Sequence, residues 1–175
     1  VTAAVAGGPE LRPADEAALH ALSVAYADAA DRRDGTRFAD LFLDDGVLVV
    51  PRYPDELQPV VTLAGTDALR RVSTGLMRFE RTFHLVANTS FAVEGDRATG
   101  EVQCLAHHLV AEDPVPAAGP GLVDQVWFIR YRDDYARSGE GWRFARRVLH
   151  LQWVEERAVE RVGPPWPPPV DGGSA

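Results

Sequence analysis

The residues in this chain best suited to moving a proton are one helical acid and two histidines. Asp31 closes the run Asp28-Ala-Ala-Asp31 and Asp34 follows shortly after, while His84 and His108 stand in two later segments rich in Val, Leu and Phe. Histidine titrates near ~6.5, so modest tuning poises it as a base at neutral pH. A buried aspartate beside the imidazole would fix one tautomer and stabilise the imidazolium formed on proton uptake, without taking the proton itself. Burial lowers a histidine pKa and a neighbouring carboxylate raises it, so the balance sets the poise. Such a pair suits abstraction of a proton from carbon. Pattern alone leaves other readings open. Pattern favours a solvated helix end for Asp28 and Asp31, since acids are seldom buried without a partner, and His84 reads equally as a hydrogen-bonded histidine without catalytic work.

The elements that must carry these residues follow from periodicity. Pro13 with Asp15 and Glu16 marks a helix start. Leu19, Leu22, Tyr26 and Ala29/Ala30 then recur at helical spacing to about Arg33, which puts Asp31 at the border of the buried face. Asp34-Gly35-Thr36 reads as a turn into a short second helix that buries Phe38, Leu41 and Phe42 and stops at Asp44-Asp45-Gly46. Val47–Val50 reads as a strand, Pro51–Pro59 with its three prolines as a loop, and Asp67 to about Phe79, capped by Thr66, as a third helix.

Four long Val/Phe/Trp/Tyr-rich segments come next, Phe83–Val93, Ala98–Val110, Val123–Tyr135 and Trp142–Val154. Tight connections at Gly95-Asp96 and Ser138–Gly141 join the outer pairs. Strand alternation places His84, Val86, Asn88 and Ser90 opposite Phe83, Leu85 and Ala87. It places Val102, Cys104, Ala106 and His108 opposite His107, and a bulge between Glu101 and His108 would exchange the two histidines. Helices grouped ahead of strands predict an α+β domain with a mixed, mostly antiparallel sheet, and such a sheet, strongly curved around the N-terminal helices, would enclose a hydrophobic cavity. The domain is expected over residues 13–157, between an arm at 1–12 and a Pro-rich tail at 158–175.

Composition removes several chemistries. All 18 basic residues among the 175 are arginine. Without lysine, Schiff-base and pyridoxal-phosphate chemistry and the phosphate-binding P-loop are excluded. The single Cys104 excludes a multi-cysteine metal site within this chain. A net charge of −8 argues against nucleic-acid or anionic-membrane partners. The absence of a signal-like N-terminus or a long apolar run makes a cytoplasmic location the expectation. No regular ligand spacing points to a metal, and no cofactor is expected.

Taken together, Tyr26-Ala-Asp-Ala-Ala-Asp31-Arg-Arg-Asp34, Leu41-Phe42-Leu-Asp-Asp45, Phe83-His84-Leu-Val-Ala-Asn88, Val93-Glu-Gly-Asp96-Arg-Ala98 and Tyr135-Ala-Arg137 ahead of Gly141-Trp142-Arg143-Phe144 resemble the SnoaL-like group of the nuclear transport factor two-like superfamily. The likeness spans roughly residues 14–155 and is greatest to scytalone dehydratase and hexachlorocyclohexane dehydrochlorinase. It implies a cone-shaped fold, an Asp31–His84 catalytic dyad and a functional role for Arg137. This chain departs from the dehydratase at Ala30, where that enzyme has tyrosine, and at Val102, where its second histidine aligns best. It departs from the dehydrochlorinase at Tyr26, where that enzyme has lysine.

The resemblance implies a cofactor-independent, dehydratase-like lyase acting on a hydrophobic ring such as a polyketide, terpenoid, steroid or aromatic. Tyr26, Asn88, His108 and Arg137 would bind the substrate. An isomerase or cyclase would use the same base, and a non-catalytic binding or scaffold module is compatible with the fold. Pairing through the outer sheet face is expected, as a dimer or trimer. The candidate outer positions are Trp127, Ile129, Tyr131, Leu149, Leu151 and Trp153.

Overall fold

The computed structural model describes residues 11–111, 121–139, 141–160 and 162–163. Helix α1 (Pro13–Asp31) begins on a proline with Asp15 and Glu16 in its first turn, and buries Leu19, Leu22, Tyr26, Ala29 and Ala30. Arg33, in the left-handed region at φ 56°, turns the chain, and the Asp34 carboxylate accepts from the Arg37 amide to cap α2 (Gly35–Asp40). The expected third helix is two short ones, α3 (Thr66–Arg70) and α4 (Val72–Leu76). Val72-Ser73-Thr74-Gly75 is a run of weak helix formers, and the break falls just before it.

Six strands make one sheet: β1 (Phe42–Arg52), β2 (Glu56–Ala64), β3 (Arg81–Glu94), β4 (Arg97–Ala111), β5 (Leu122–Ser138) and β6 (Gly141–Val159). Their order is β2-β1-β6-β5-β4-β3, with β1 parallel to β6 and every other pair antiparallel. The segment expected as a Pro-rich loop is instead the tip of a hairpin, holding the end of β1, the turn and the first residues of β2. Its prolines are tolerated because β2 is an edge strand and Pro51 faces Pro59 at a register irregularity. Gly95, at φ 59°, makes the tight β3–β4 turn.

The α+β class and mixed sheet stand, but the expected cone does not. The sheet is neither closed nor strongly curled: β2 and β3 are free edges, each paired on one side only. Closure would require those edges to meet. Helices pack there instead, α3 against β2 and α1 against β3. The sheet therefore flanks the helices rather than enclosing a cavity around them.

The core between α1 and the sheet contains an ion pair. Arg147 on β6, 1% exposed, donates through Nε and Nη2 to both oxygens of Asp133 on β5, at 2.9 and 2.7 Å. The Tyr135 hydroxyl donates to the same carboxylate at 2.8 Å. The guanidinium lies 4.1–4.3 Å from the ring centroids of Tyr26, Tyr131 and Phe144, and Nη2 reaches the Ser23 hydroxyl on α1 at 3.4 Å. Ionised groups this deep persist only when fully paired. Arg147→Met, which strands Asp133, is expected to cost about 3–5 kcal/mol in urea unfolding. Adding Asp133→Leu should recover most of that loss; a double variant as unstable as the single would refute the assignment.

Candidate active site

Asp31 is the last residue of α1, and His84 is the fourth of β3. Arg33 fastens the two elements together by donating to the carbonyl oxygens of Phe79 and Glu80, at 2.6 and 3.1 Å, just before β3 begins. Asp31 Oδ1 lies 2.7 Å from His84 Nδ1, the His84 amide donates to Oδ2 at 2.9 Å, and the Thr82 hydroxyl donates to Oδ1 at 2.8 Å. Burial opposes ionisation of Asp31, but the His84 ring, the His84 amide and the Thr82 hydroxyl outweigh it and hold the carboxyl below its usual range. An ionised Asp31 accepts from Nδ1–H and leaves Nε2 as the ring nitrogen with a free lone pair.

His84 forms part of the wall of a pocket of about 400 Å³ between the helices and the sheet, together with Tyr26, His108, Trp127 and mainly aliphatic side chains. The His84 and His108 rings are perpendicular, 5.5 Å apart. His108 packs between Phe79 and Trp127, at 4.4 and 4.6 Å. Burial, with the charges of His84 and Arg78 adding to it, pushes the His108 pKa down to about 3, so this ring is neutral at physiological pH. His108 Nδ1 and Trp127 Nε1 have no hydrogen-bond partner among the described residues. Burial raises the Tyr26 hydroxyl to about 12, which keeps it a neutral donor. The pocket thus combines one histidine backed by a carboxylate with one kept uncharged.

Of the residues expected at a site, the structure brings Tyr26, His84 and His108 onto this pocket, with Asp31 behind His84. The unbroken alternation of β4 keeps His108 inward and His107 on the opposite face. Asn88 is not brought there. A register shift between Val86 and Thr89 turns it out of the pattern, and its exposed amide faces Gln103. Nor is Arg137, which pairs with Asp15 at the start of α1 and lies over the Trp142 ring. Asp15, bonded first by Trp142 Nε1 at 3.0 Å and by Arg12 and Arg137, is held down to about 2.

The expected outer-face set is also placed differently. Trp127, Ile129, Tyr131 and Leu149 line the pocket and Leu151 is buried, so only Trp153 of that set is exposed. The outward cross-strand row is Leu85, Leu105, Phe128 and Trp153, with Phe128 and Trp153 stacked at 4.2 Å.

Thr82 is a site residue the sequence reading passed over, although the same alternation that turned His84 inward applies two residues earlier. Trp127 needed the sheet's orientation. Most of the expected arm and tail lies outside the described residues, and β6 continues past the expected domain end to Val159. Among the described residues no helix is long and apolar enough to cross a membrane, and no three His, Cys, Asp or Glu side chains group to hold a metal ion.

Residues 12–148 match the family model of the SnoaL-like domain. Uncharacterized protein Rv2910c of Mycobacterium tuberculosis is 32% identical over 139 residues, covering 77% of this chain and 83% of the relative. Among solved structures, hexachlorocyclohexane dehydrochlorinase LinA-type3 from Novosphingobium barchaimii superposes with a TM-score of 0.70 at 19% identity, over 86% of this chain and 96% of that one. A protein provisionally named scytalone dehydratase from Novosphingobium aromaticivorans gives 0.67 at 21% identity, over 83% and 89%. At those identities the two structures establish a shared fold.

The neutral His108 has a measurable consequence. Its pKa is depressed in the folded state, so below the ordinary value of ~6.5 the unfolded chain binds a proton that the folded chain does not, and stability falls with pH at up to about 1.4 kcal/mol per unit. That loss begins near the unfolded value and ends near 3. His108→Gln should flatten the fall in Tm between about pH 7 and pH 5 relative to the parent; parallel curves would contradict the assignment.

Proposed function

Because the chain belongs to the SnoaL-like domain family, we propose that it is a lyase that removes a proton from carbon in a hydrophobic cyclic small molecule, with His84 as base and Asp31 as its orienting carboxylate. The observation that supports this reading is the 2.7 Å contact between His84 Nδ1 and Asp31 Oδ1, made on the edge of an apolar pocket. With Nδ1 committed to Asp31, His84 Nε2 takes the proton, and the C–H electron pair becomes the new double bond. The leaving group departs from the adjacent carbon with its bonding pair. Asp31 stabilises the resulting imidazolium, and the neutral Tyr26 hydroxyl or the His108 ring can donate to the leaving group. The mainly apolar wall suits a ring-bearing substrate. The names dehydrochlorinase and dehydratase carried by the structural neighbours favour elimination over the isomerase or cyclase that the same base could serve.

A reporter whose chemistry begins with loss of a proton from carbon tests this reading: 5-nitrobenzisoxazole, which opens to a coloured phenolate when deprotonated. Turnover should be saturable and fall about 10²-fold or more in His84→Gln and in Asp31→Asn. Imidazole ¹⁵N shifts should report Nδ1–H in the parent and a changed tautomer in Asp31→Asn. Rates unaltered by both substitutions would reduce the domain to a binding module.

The outward row through Leu85 and Trp153 supports a homo-oligomer as part of this proposal. Leu85→Glu with Trp153→Glu should lower the sedimentation mass to that of one chain, and a parent that already sediments as one chain would refute it.

A further inference from the structure

The charged side chains that line the pocket are of one sign. Arg52 at the end of β1, Arg71 between α3 and α4, and Arg78 after α4 are all exposed and all line it, so they stand where it meets solvent. No ion pair joins any of the three to a carboxylate among the described residues. No Asp or Glu is part of the lining. Among the described residues two carboxylates are hydrogen-bonded to lining side chains: Asp31 to His84, and Glu156, which accepts from the Tyr53 hydroxyl at 3.4 Å. In a chain with 26 acids against 18 arginines, a cleft free of acids and bordered by three arginines runs against the overall balance. The cleft beside the end of α1 has Asp28, Glu80 and Asp124 as well as Arg32, Arg33 and Arg81.

Guanidinium groups bind carboxylate and other oxyanions through parallel N–H donors. A patch of one sign at the mouth of a low-dielectric cleft also concentrates the oppositely charged ligand. Arg78 lies 4.6 Å from the Phe79 ring centroid, and Phe79 packs on His108, so this charge is held beside the inner wall of the pocket. We propose that the ligand of this pocket is an amphipathic anion: an apolar ring body seated on the aliphatic and aromatic wall, with a carboxylate or equivalent oxyanion left at the mouth against Arg52, Arg71 and Arg78. This rests on the reading of the same pocket as the substrate site, and it narrows the substrate from a hydrophobic ring to a ring acid.

Two fluorescent probes that differ in one group test it: 8-anilinonaphthalene-1-sulfonate and N-phenyl-1-naphthylamine, which lacks the sulfonate. The parent should bind the sulfonate about tenfold more tightly at low salt, and added salt should weaken only that probe. Arg52→Gln/Arg71→Gln/Arg78→Gln, at exposed positions, should bring the two affinities together by lowering that of the sulfonate alone. Gly75→Trp provides the control, since Gly75 lines the pocket and an added Cβ meets nothing within 4 Å; it should weaken both probes. Equal affinities in the parent, or a preference that survives the triple substitution, would overturn the anion assignment while leaving the pocket intact. Binding of both probes unchanged by Gly75→Trp, or absent from the parent, would overturn the pocket as a ligand site and the proposal with it.

Discussion

The buried pair of Arg147 and Asp133 is the constraint around which the rest is arranged. An arginine 1% exposed keeps its charge only if both ends of its guanidinium are satisfied, and here β5 supplies the carboxylate while α1 supplies Ser23 and the Tyr26 ring. Tyr131 and Phe144 complete the aromatic surround. This fixes α1 against the sheet at the level of Tyr26, less than two turns from Asp31. The rotation of α1 that satisfies Arg147 also determines which way its last acid faces. Arg33 then secures the end of the helix to the entrance of β3. The Asp31–His84 contact therefore lies between two anchors, and neither requires Asp31 or His84 to hold the helix in place.

Two histidines 5.5 Å apart have different surroundings. Asp31 carries three hydrogen bonds from β3, which keep it ionised despite partial burial. His108 has aromatic neighbours and no carboxylate within bonding reach, so burial decides its state and it is neutral. Proton transfer needs this kind of asymmetry, since a proton acceptor and a neutral donor or acceptor on one wall can act at two atoms of one ligand. His107 shows that a nearby carboxylate alone does not make a site. It pairs with Asp124 at 2.8 Å on the opposite face of the same strand, in a cleft whose charges are mixed.

Much of the architecture could be read from periodicity because its segments are long and amphipathic. The helical stripe of Leu19, Leu22, Tyr26 and Ala30 and the four long strands recur where expected, and alternation separated His84 from Phe83 and Leu85 and His108 from His107. Alternation failed at Asn88, where one register shift changes the face of everything beyond it. Local pattern also failed for β2, since a short edge strand with a proline carries the composition of a loop. The assignment of Trp127, Ile129 and Tyr131 to the outer face failed for another reason: in a sheet with apolar residues on both sides, period two separates the faces without saying which one the helices cover.

The sequence by itself determined the longer helix and strands, the lysine-free chemistry and the candidate acid and base. Those depend on composition and on spacings of a few residues, which the chain carries locally. Only the tertiary structure decided that Asp31 and His84 meet, that Arg137 belongs to Asp15 and that Arg52, Arg71 and Arg78 border one pocket. It alone decided that the sheet remains open. Each of these depends on pairings between segments far apart in the chain, and on which helix reaches which sheet edge. Those outcomes are set by burial and ion pairing summed over the whole core, and no short stretch of residues encodes them.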